Sequence, residues 1–131
     1  MCRHGAGKAG DVLWADFDFF YSRQADQYQF YRIPKVLIVS DRFAGLSTEA
    51  KLLYGILLDR MNLSLKNNWL DKMGRVFIIF TMEDVMESLH CGNNKACRLL
   101  AELEKFGLIC KKRRGRGQPN LLYVKDFASE D

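Results

Sequence analysis

Along residues 93–106, Ala96, Leu99, Leu100, Leu103 and Phe106 recur at the i, i+3, i+4, i+7 interval that gathers them on one stripe of an α-helix. A turn of about 100° per residue carries Asn94, Arg98, Ala101 and Lys105 to the opposite side, with Asn93, Lys95 and Glu102 towards its edges. That outward face is polar, basic and, at Ala101, small. Gly107 supplies the stop, because glycine accepts the left-handed backbone that a helix C-terminus commonly requires. Two short apolar runs follow, Leu108 to Cys110 and Leu121 to Val124. Between them lies KKRRGRGQPN, with glycines and a proline for a turn and cations at Lys111, Lys112, Arg113, Arg114 and Arg116. The pattern predicts a helix that runs directly into a β-hairpin with a basic tip.

Upstream, the same reading supplies a scaffold. Tyr31 to Ile33 reads as a short strand ahead of Pro34. LSTEAKLLYGILLDRMNL reads as a helix capped by Ser47, with Glu49 in its first turn and apolar side chains around much of its girth, as suits the middle of a domain. A loop through Asn67, Asn68 and the Asp71–Gly74 turn leads to Val76–Phe80, β-branched and aromatic enough to pair with the basic hairpin. Thr81 and Asp84 form a capping-box-like start to MEDVMESL, and Leu89-His90-Cys91-Gly92 makes a tight turn into the basic helix. A short helix, a Gly-containing turn and a second helix with a polar start is the helix-turn-helix arrangement. With strands and a basic loop after it, the expected fold is α+β: a winged helix-turn-helix of three main helices and a small antiparallel sheet.

The N-terminal part differs in kind. Trp14, Phe17, Phe19, Phe20, Tyr21, Tyr28, Phe30 and Tyr31 are half of the sixteen aromatic residues of the chain, and so many rings need cover. An arm that packs on a second subunit is the expected arrangement, ahead of one that folds back on its own core. The resulting division is a flexible leader over 1–13, an aromatic dimerisation arm over 14–31, a winged-helix domain over 32–127 and a tail over 128–131. GAGKAG in the leader is not a phosphate loop, since it lacks the Walker spacing and the following Ser or Thr.

Charge sharpens the picture. Residues 92–116 hold eight lysines and arginines against two acids, net +6, while the rest of the chain is net −2. A concentrated patch of this kind fits a polyanionic partner better than a generally cationic surface does. With 131 residues and 48% hydrophobic content the chain can bury a core of its own. Its longest apolar runs are far short of the ~20 residues that span a bilayer, and no signal-peptide pattern opens it, so a cytoplasmic location is expected. Cys2, Cys91, Cys97 and Cys110 form no CxxC, and His90 is the only histidine near the last three, so reduced, partly buried thiols are expected instead of a metal site. No cofactor is expected. Paired carboxylates and nucleophile-plus-base constellations are lacking as well; Asp16, Asp18, Glu83, Asp84 and Glu87 read as caps and solvated faces, which argues against an enzyme.

The chemistry that remains is recognition of double-stranded DNA. Asn94 and Arg98, with Asn93 and Lys95 near the helix start, are of the types that bond base edges in a major groove. Lys105, Lys111 and Lys112 suit phosphates, and Arg113, Arg114 and Arg116 suit a site in or beside the minor groove.

FYRIPKVLI, LSTEAKLLYGILLDRM, NNWLDKMGRVFIIFTMEDVMESLHCGNNKACRLLAELEKFGLI and KKRRGRGQPNLLYVKDF strongly resemble the N-terminal domain of the RepA-type replication initiators of plasmids and integrative elements in Gram-positive bacteria. The resemblance runs from about Phe17 to Phe127 and does not extend to the leader. It implies a dimeric domain that binds repeated sites at a replication origin, with a recognition helix over Asn93–Phe106, a wing over Lys111–Asn120, and host replication proteins engaged through a C-terminal domain that this chain, ending at Asp131, lacks. A winged-helix transcriptional repressor and a protein-binding winged helix are the alternatives, because fold alone does not settle function.

Overall fold

The computed structural model describes Phe19 and residues 29–126. Its elements are α1 (Lys35–Val39), a 3-10 turn at Asp41–Phe43, α2 (Thr48–Lys66), α3 (Met82–Leu89), α4 (Asn93–Lys105), β1 (Ile109–Lys112) and β2 (Leu121–Val124). This is a winged helix-turn-helix, with α3 and α4 as the helix pair and the β1–β2 connection as the wing.

Local chemistry sets most of the element boundaries. The Ser47 hydroxyl accepts from the Ala50 amide at 3.2 Å and opens α2. At α3 the Thr81 hydroxyl accepts from the Asp84 amide while the Asp84 carboxylate accepts from the Thr81 amide at 2.8 Å, a complete capping box. At the end of α4, Gly107 (φ 79°) is left-handed; its amide donates to the Glu104 carbonyl and the Leu108 amide to the Leu103 carbonyl. These are the paired bonds of a Schellman motif, closed by buried Leu103 and Leu108. The turn between α3 and α4 places a non-glycine residue, His90, in the left-handed region at φ 52°, and Gly92 then caps α4 without a side-chain bond.

The core lies between α2, α3, α4 and the inner face of the sheet. Leu53, Tyr54 and Leu57 of α2, Val85 of α3, Ala96, Leu99 and Leu103 of α4, and Ile78, Leu108, Ile109 and Leu122 are all buried. Phe106, just past α4, sets its ring 6.3 Å from that of buried Phe43, which ties the 3-10 turn to the same core. β1 and β2 pair antiparallel in the register Ile109↔Val124 to Lys112↔Leu121. Ile78 exchanges both backbone bonds with Leu122 at 2.9 Å, so the chain ahead of α3 adds a third line to the sheet.

Three local expectations are corrected. Tyr31–Ile33 is not a strand: it has no ladder partner and leads into α1, a short helix of the apolar run after Pro34. Pro34 at the N-cap of α1 explains the start, since its fixed φ suits a helix entry. Val76–Phe80 is not a continuous strand but two isolated bridges, Val76 to Leu70 and Ile78 to Leu122, because its two neighbours are served by different residues. The cysteines are more exposed than expected: Cys97 and Cys110 lie at the surface and Cys91 is half-buried, all three as free thiols. Cys2 lies outside the described residues. The recognition helix ends at Lys105, with Phe106 as its C-cap. The chain divides into two units, 1–30 and 31–131.

Gly55, in the middle of α2, has a specific task. A Cβ there would meet the Arg32 carbonyl oxygen and the Ile33 side chain, both at 3.0 Å, so the glycine lets Arg32 and Ile33 pass the helix closely. Alanine is worth about 1 kcal/mol more than glycine in a helix interior, but the backbone oxygen it would meet cannot rotate away. Gly55→Ala is therefore expected to destabilise the protein by roughly 1–2 kcal/mol through overpacking, read as a lowered denaturant midpoint at unchanged m-value. An increase in the midpoint would show that helix propensity outweighs the contact.

Candidate nucleic-acid interface

Burial of Ala96, Leu99 and Leu103 fixes the rotation of α4 and therefore which side chains it shows to solvent. Asn93, Asn94, Arg98, Ala101 and Lys105 are exposed, and Lys95 is half-buried. All five wing cations, Lys111, Lys112, Arg113, Arg114 and Arg116, are exposed too. The structure thus brings the predicted residues into two sets, one on α4 and one on the hairpin that leaves its C-terminal end.

Two acids hold α4 against the start of α2. Glu102 accepts from the Ser47 amide at 2.9 Å through Oε1 and from the Ser47 hydroxyl at 3.0 Å through Oε2. The Ser47 oxygen thereby caps α2 as acceptor while donating to α4. Closer to the start of α4, Lys95 Nζ lies 3.0 Å from Glu49 Oε2. The hydrogen bond from Lys95, reinforced by its charge, holds the Glu49 carboxyl below the usual carboxylate range. Lys95 is thus a side chain with a hydrogen-bonded protein partner.

A second cluster anchors the wing. Asp71 accepts from the backbone amides of Met73 and Arg75, from Arg75 Nε at 2.8 Å and from the Tyr123 hydroxyl at 3.0 Å. The Arg75 guanidinium lies 4.8 Å from the centre of the Tyr123 ring. Desolvation works to raise the Asp71 pKa, but the hydrogen bonds from Arg75, Tyr123 and Met73 together hold it down at about 2. On the opposite side of β2, Tyr54 of α2 donates to the Lys125 carbonyl at 2.8 Å, and burial, with the charge of Asp126 beside it, pushes its hydroxyl up to about 12. Across the wing tip, Arg114 Nε donates to the Pro119 carbonyl at 3.0 Å, bracing the turn between Gly115 (φ 133°) and Gly117 (φ 80°).

Beside this hairpin lies an open groove of about 920 Å³ whose lining includes the cations Arg75, Lys111, Lys112, Arg113 and Lys125, the acid Asp126, and Met61, Val76 and Tyr123. Lys125 extends the basic surface past the residues picked out by the sequence. Its place becomes evident only once β2 is paired with β1. A smaller hollow at the tip is lined by Arg113, Gly115, Arg116 and Asn120. Among the described residues no three histidine, cysteine, aspartate or glutamate side chains come together as a metal site, and no helix is long and apolar enough to cross a membrane. Of the proposed dimerisation residues, Phe19, Phe30 and Tyr31 are 54%, 65% and 58% exposed; Trp14, Phe17, Phe20, Tyr21 and Tyr28 lie outside the described residues.

The sequence profile of the family described as replication initiator protein A (RepA) N-terminus matches residues 29–131. The chain belongs to this family. A 41 kDa protein of Lactobacillus helveticus is 34% identical over 111 residues, a stretch covering 80% of this chain and 31% of that relative, so the chain spans about a third of its length. Solved structures agree with the fold. The N-terminal domain of a DNA-binding protein superposes with a TM-score of 0.70 at 37% identity, covering 84% of each chain. The protein of a Rep–DNA complex gives 0.70 at 38% identity over 83% of this chain and 84% of its own. An MDR initiator gives 0.67 at 38% identity over 83% and 86%. The resemblance first carried by the helix-turn-helix and wing motifs is thereby established at the level of family and fold.

The Asp71 cluster makes a pH prediction. The folded-state pKa is depressed from 3.8 to about 2, so its stabilisation is present above about pH 4 and disappears as pH falls through about 2. Asp71→Asn is expected to melt below the wild type at pH 6, with the gap in Tm narrowing steadily between pH 4 and pH 2. A gap that stays constant over that range would remove Asp71 as a charged anchor of the wing.

Proposed function

We propose that this chain is the DNA-binding domain of a replication initiator and acts by binding duplex DNA, without catalysis. The observation that carries this reading is the pairing of an exposed Asn/Arg face on α4 with an exposed, internally braced basic wing, in a member of the RepA N-terminal family. It is supported by the likeness, at 38% identity, to the protein of a Rep–DNA complex.

In this mechanism α4 enters the major groove. Asn93, Asn94, Lys95 and Arg98 meet base edges, Arg98 being suited to a bidentate contact with guanine. Lys105, Lys111 and Lys112 neutralise phosphates, and Arg113, Arg114 and Arg116 work from the wing in or beside the minor groove. The bound form is a dimer joined through the aromatic arm, so that two half-sites lie about one helical turn, roughly 34 Å, or a multiple of it apart. The sites are origin repeats of a plasmid or integrative element in the bacterial cytoplasm, and host replication proteins are engaged by other parts of a longer initiator.

Selection of bound duplexes from a random library at moderate salt, followed by titration of the winner, tests this reading. A defined, repeated motif found at an origin is the expected result; a motif confined to promoters would instead indicate a repressor, and recovery of no motif would leave a nonspecific basic module. On the selected site, Arg98→Ala is expected to cost about 1–3 kcal/mol and relax discrimination at one base position. An equal loss on random DNA would exclude base reading by Arg98. Lys112→Ala is expected to weaken all sequences alike and to lower the slope of log K against log salt by about one, which a salt titration of both proteins checks.

A further inference from the structure

The first turn of α4 is unusual among the longer helices of this domain. α2 carries Glu49 there and α3 carries Glu83 and Asp84, acids that suit the positive end of a helix dipole. α4 carries none, and places the cation Lys95 at that end, behind a glycine cap with no side-chain bond. The missing negative charge comes from another helix. Glu49 of α2, 46 positions away in sequence, sets its carboxylate 3.0 Å from Lys95. Arg98, one turn further along α4, adds its field to the same carboxylate.

Both partners of the pair are nearly half exposed, 42% for Lys95 and 46% for Glu49. Ion pairs so open to water contribute little to folding. Glu102 and Ser47 already fasten α4 to α2 with two buried-edge hydrogen bonds. The Glu49–Lys95 pair is thus left with an electrostatic task at the face that meets DNA.

We propose that Glu49 is a specificity-determining residue of the DNA interface: it holds Lys95 in place beside Arg98 and withholds that cation from indiscriminate contact with phosphates. This inference rests on the DNA-binding reading above. Nonspecific binding is almost wholly electrostatic. A carboxylate at the entrance to the reading face lowers it twice, by repelling phosphate and by occupying Lys95. Binding to the selected site depends also on fixed side-chain positions at base edges. There the ordering of Lys95 by Glu49 offsets the repulsion. The net effect of Glu49 is a larger ratio between specific and nonspecific affinity.

The test compares Glu49→Gln with wild type on the selected duplex and on a random-sequence duplex, across a salt titration. Asp59→Asn serves as a control, because it removes the same charge from an exposed position further along α2. Glu49→Gln is expected to bind random duplex about threefold to tenfold tighter, with a salt slope steeper by about one, as one more cation becomes available to phosphate. Affinity for the selected site should change by less than about twofold, so the specificity ratio falls. In a Lys95→Ala background the same substitution should lose most of its effect. Melting temperatures of all variants should match wild type closely. The proposal is overturned if Glu49→Gln raises both affinities equally, if it behaves as Asp59→Asn does, or if its effect persists undiminished without Lys95. Absence of any duplex binding by the wild-type protein at low salt would instead overturn the DNA-binding reading itself.

Discussion

The rotation of α4 about its own axis is the constraint on which the surface of this domain depends. Ala96, Leu99 and Leu103 are fully buried against α2 and α3, and removing a leucine side chain of this kind from water is worth about 1.5–3 kcal/mol. A rotation by one residue, about 100°, would exchange those side chains for Lys95, Arg98 and Glu102 in one direction, or for Cys97, Leu100 and Glu104 in the other. Nothing in the polar face has to be selected for orientation separately. Once the apolar stripe is buried, Asn94, Arg98 and Lys105 are committed to solvent, and the reading face follows from the core.

Packing alone leaves the position of the helix along its axis and the attitude of the wing less tightly specified. Here polar contacts take over. The Glu102–Ser47 pair of hydrogen bonds links the middle of α4 to the start of α2, while the Asp71–Tyr123–Arg75 cluster and the Tyr54–Lys125 bond hold β2 from two sides. A two-stranded hairpin is marginal in water by itself. Its exposed arginines can only act from a defined place because the strand below them is tied to α2 and to the 71–75 turn. Acidic residues thus do structural work next to a surface whose net charge is strongly positive, and Glu49 lies at the junction of the two roles.

Much of this architecture was legible in the chain because the determining signals are local. The 3.6-residue period of α4, the Ser47 cap, the Thr81–Asp84 capping box and the Gly107 stop each act within four residues and each appears in the structure as expected. The errors have a common origin. Val76–Phe80 has the composition of a strand, but a ladder needs a partner along its length, and only Ile78 finds one on β2. Tyr31–Ile33 finds no ladder partner either; Arg32 and Ile33 instead pass close over Gly55. Neither fact is encoded in the residues of those segments.

The sequence by itself determined the helix-turn-helix and the basic wing, because apolar period, capping chemistry and clustered charge are properties of neighbouring residues; the family was legible only as a resemblance of whole sequence stretches. Only the tertiary structure decided which of the cations are free. Lys95 and Arg98 are both cations near the start of α4, yet Lys95 is held by Glu49 from 46 positions away while Arg98 stands exposed. Ser47 and Glu102, 55 positions apart, and Asp71 and Tyr123, 52 apart, are similarly joined by folding alone. Their geometry follows from how the buried faces of α2, α4 and β2 fit together, and no local rule in the sequence carries that information.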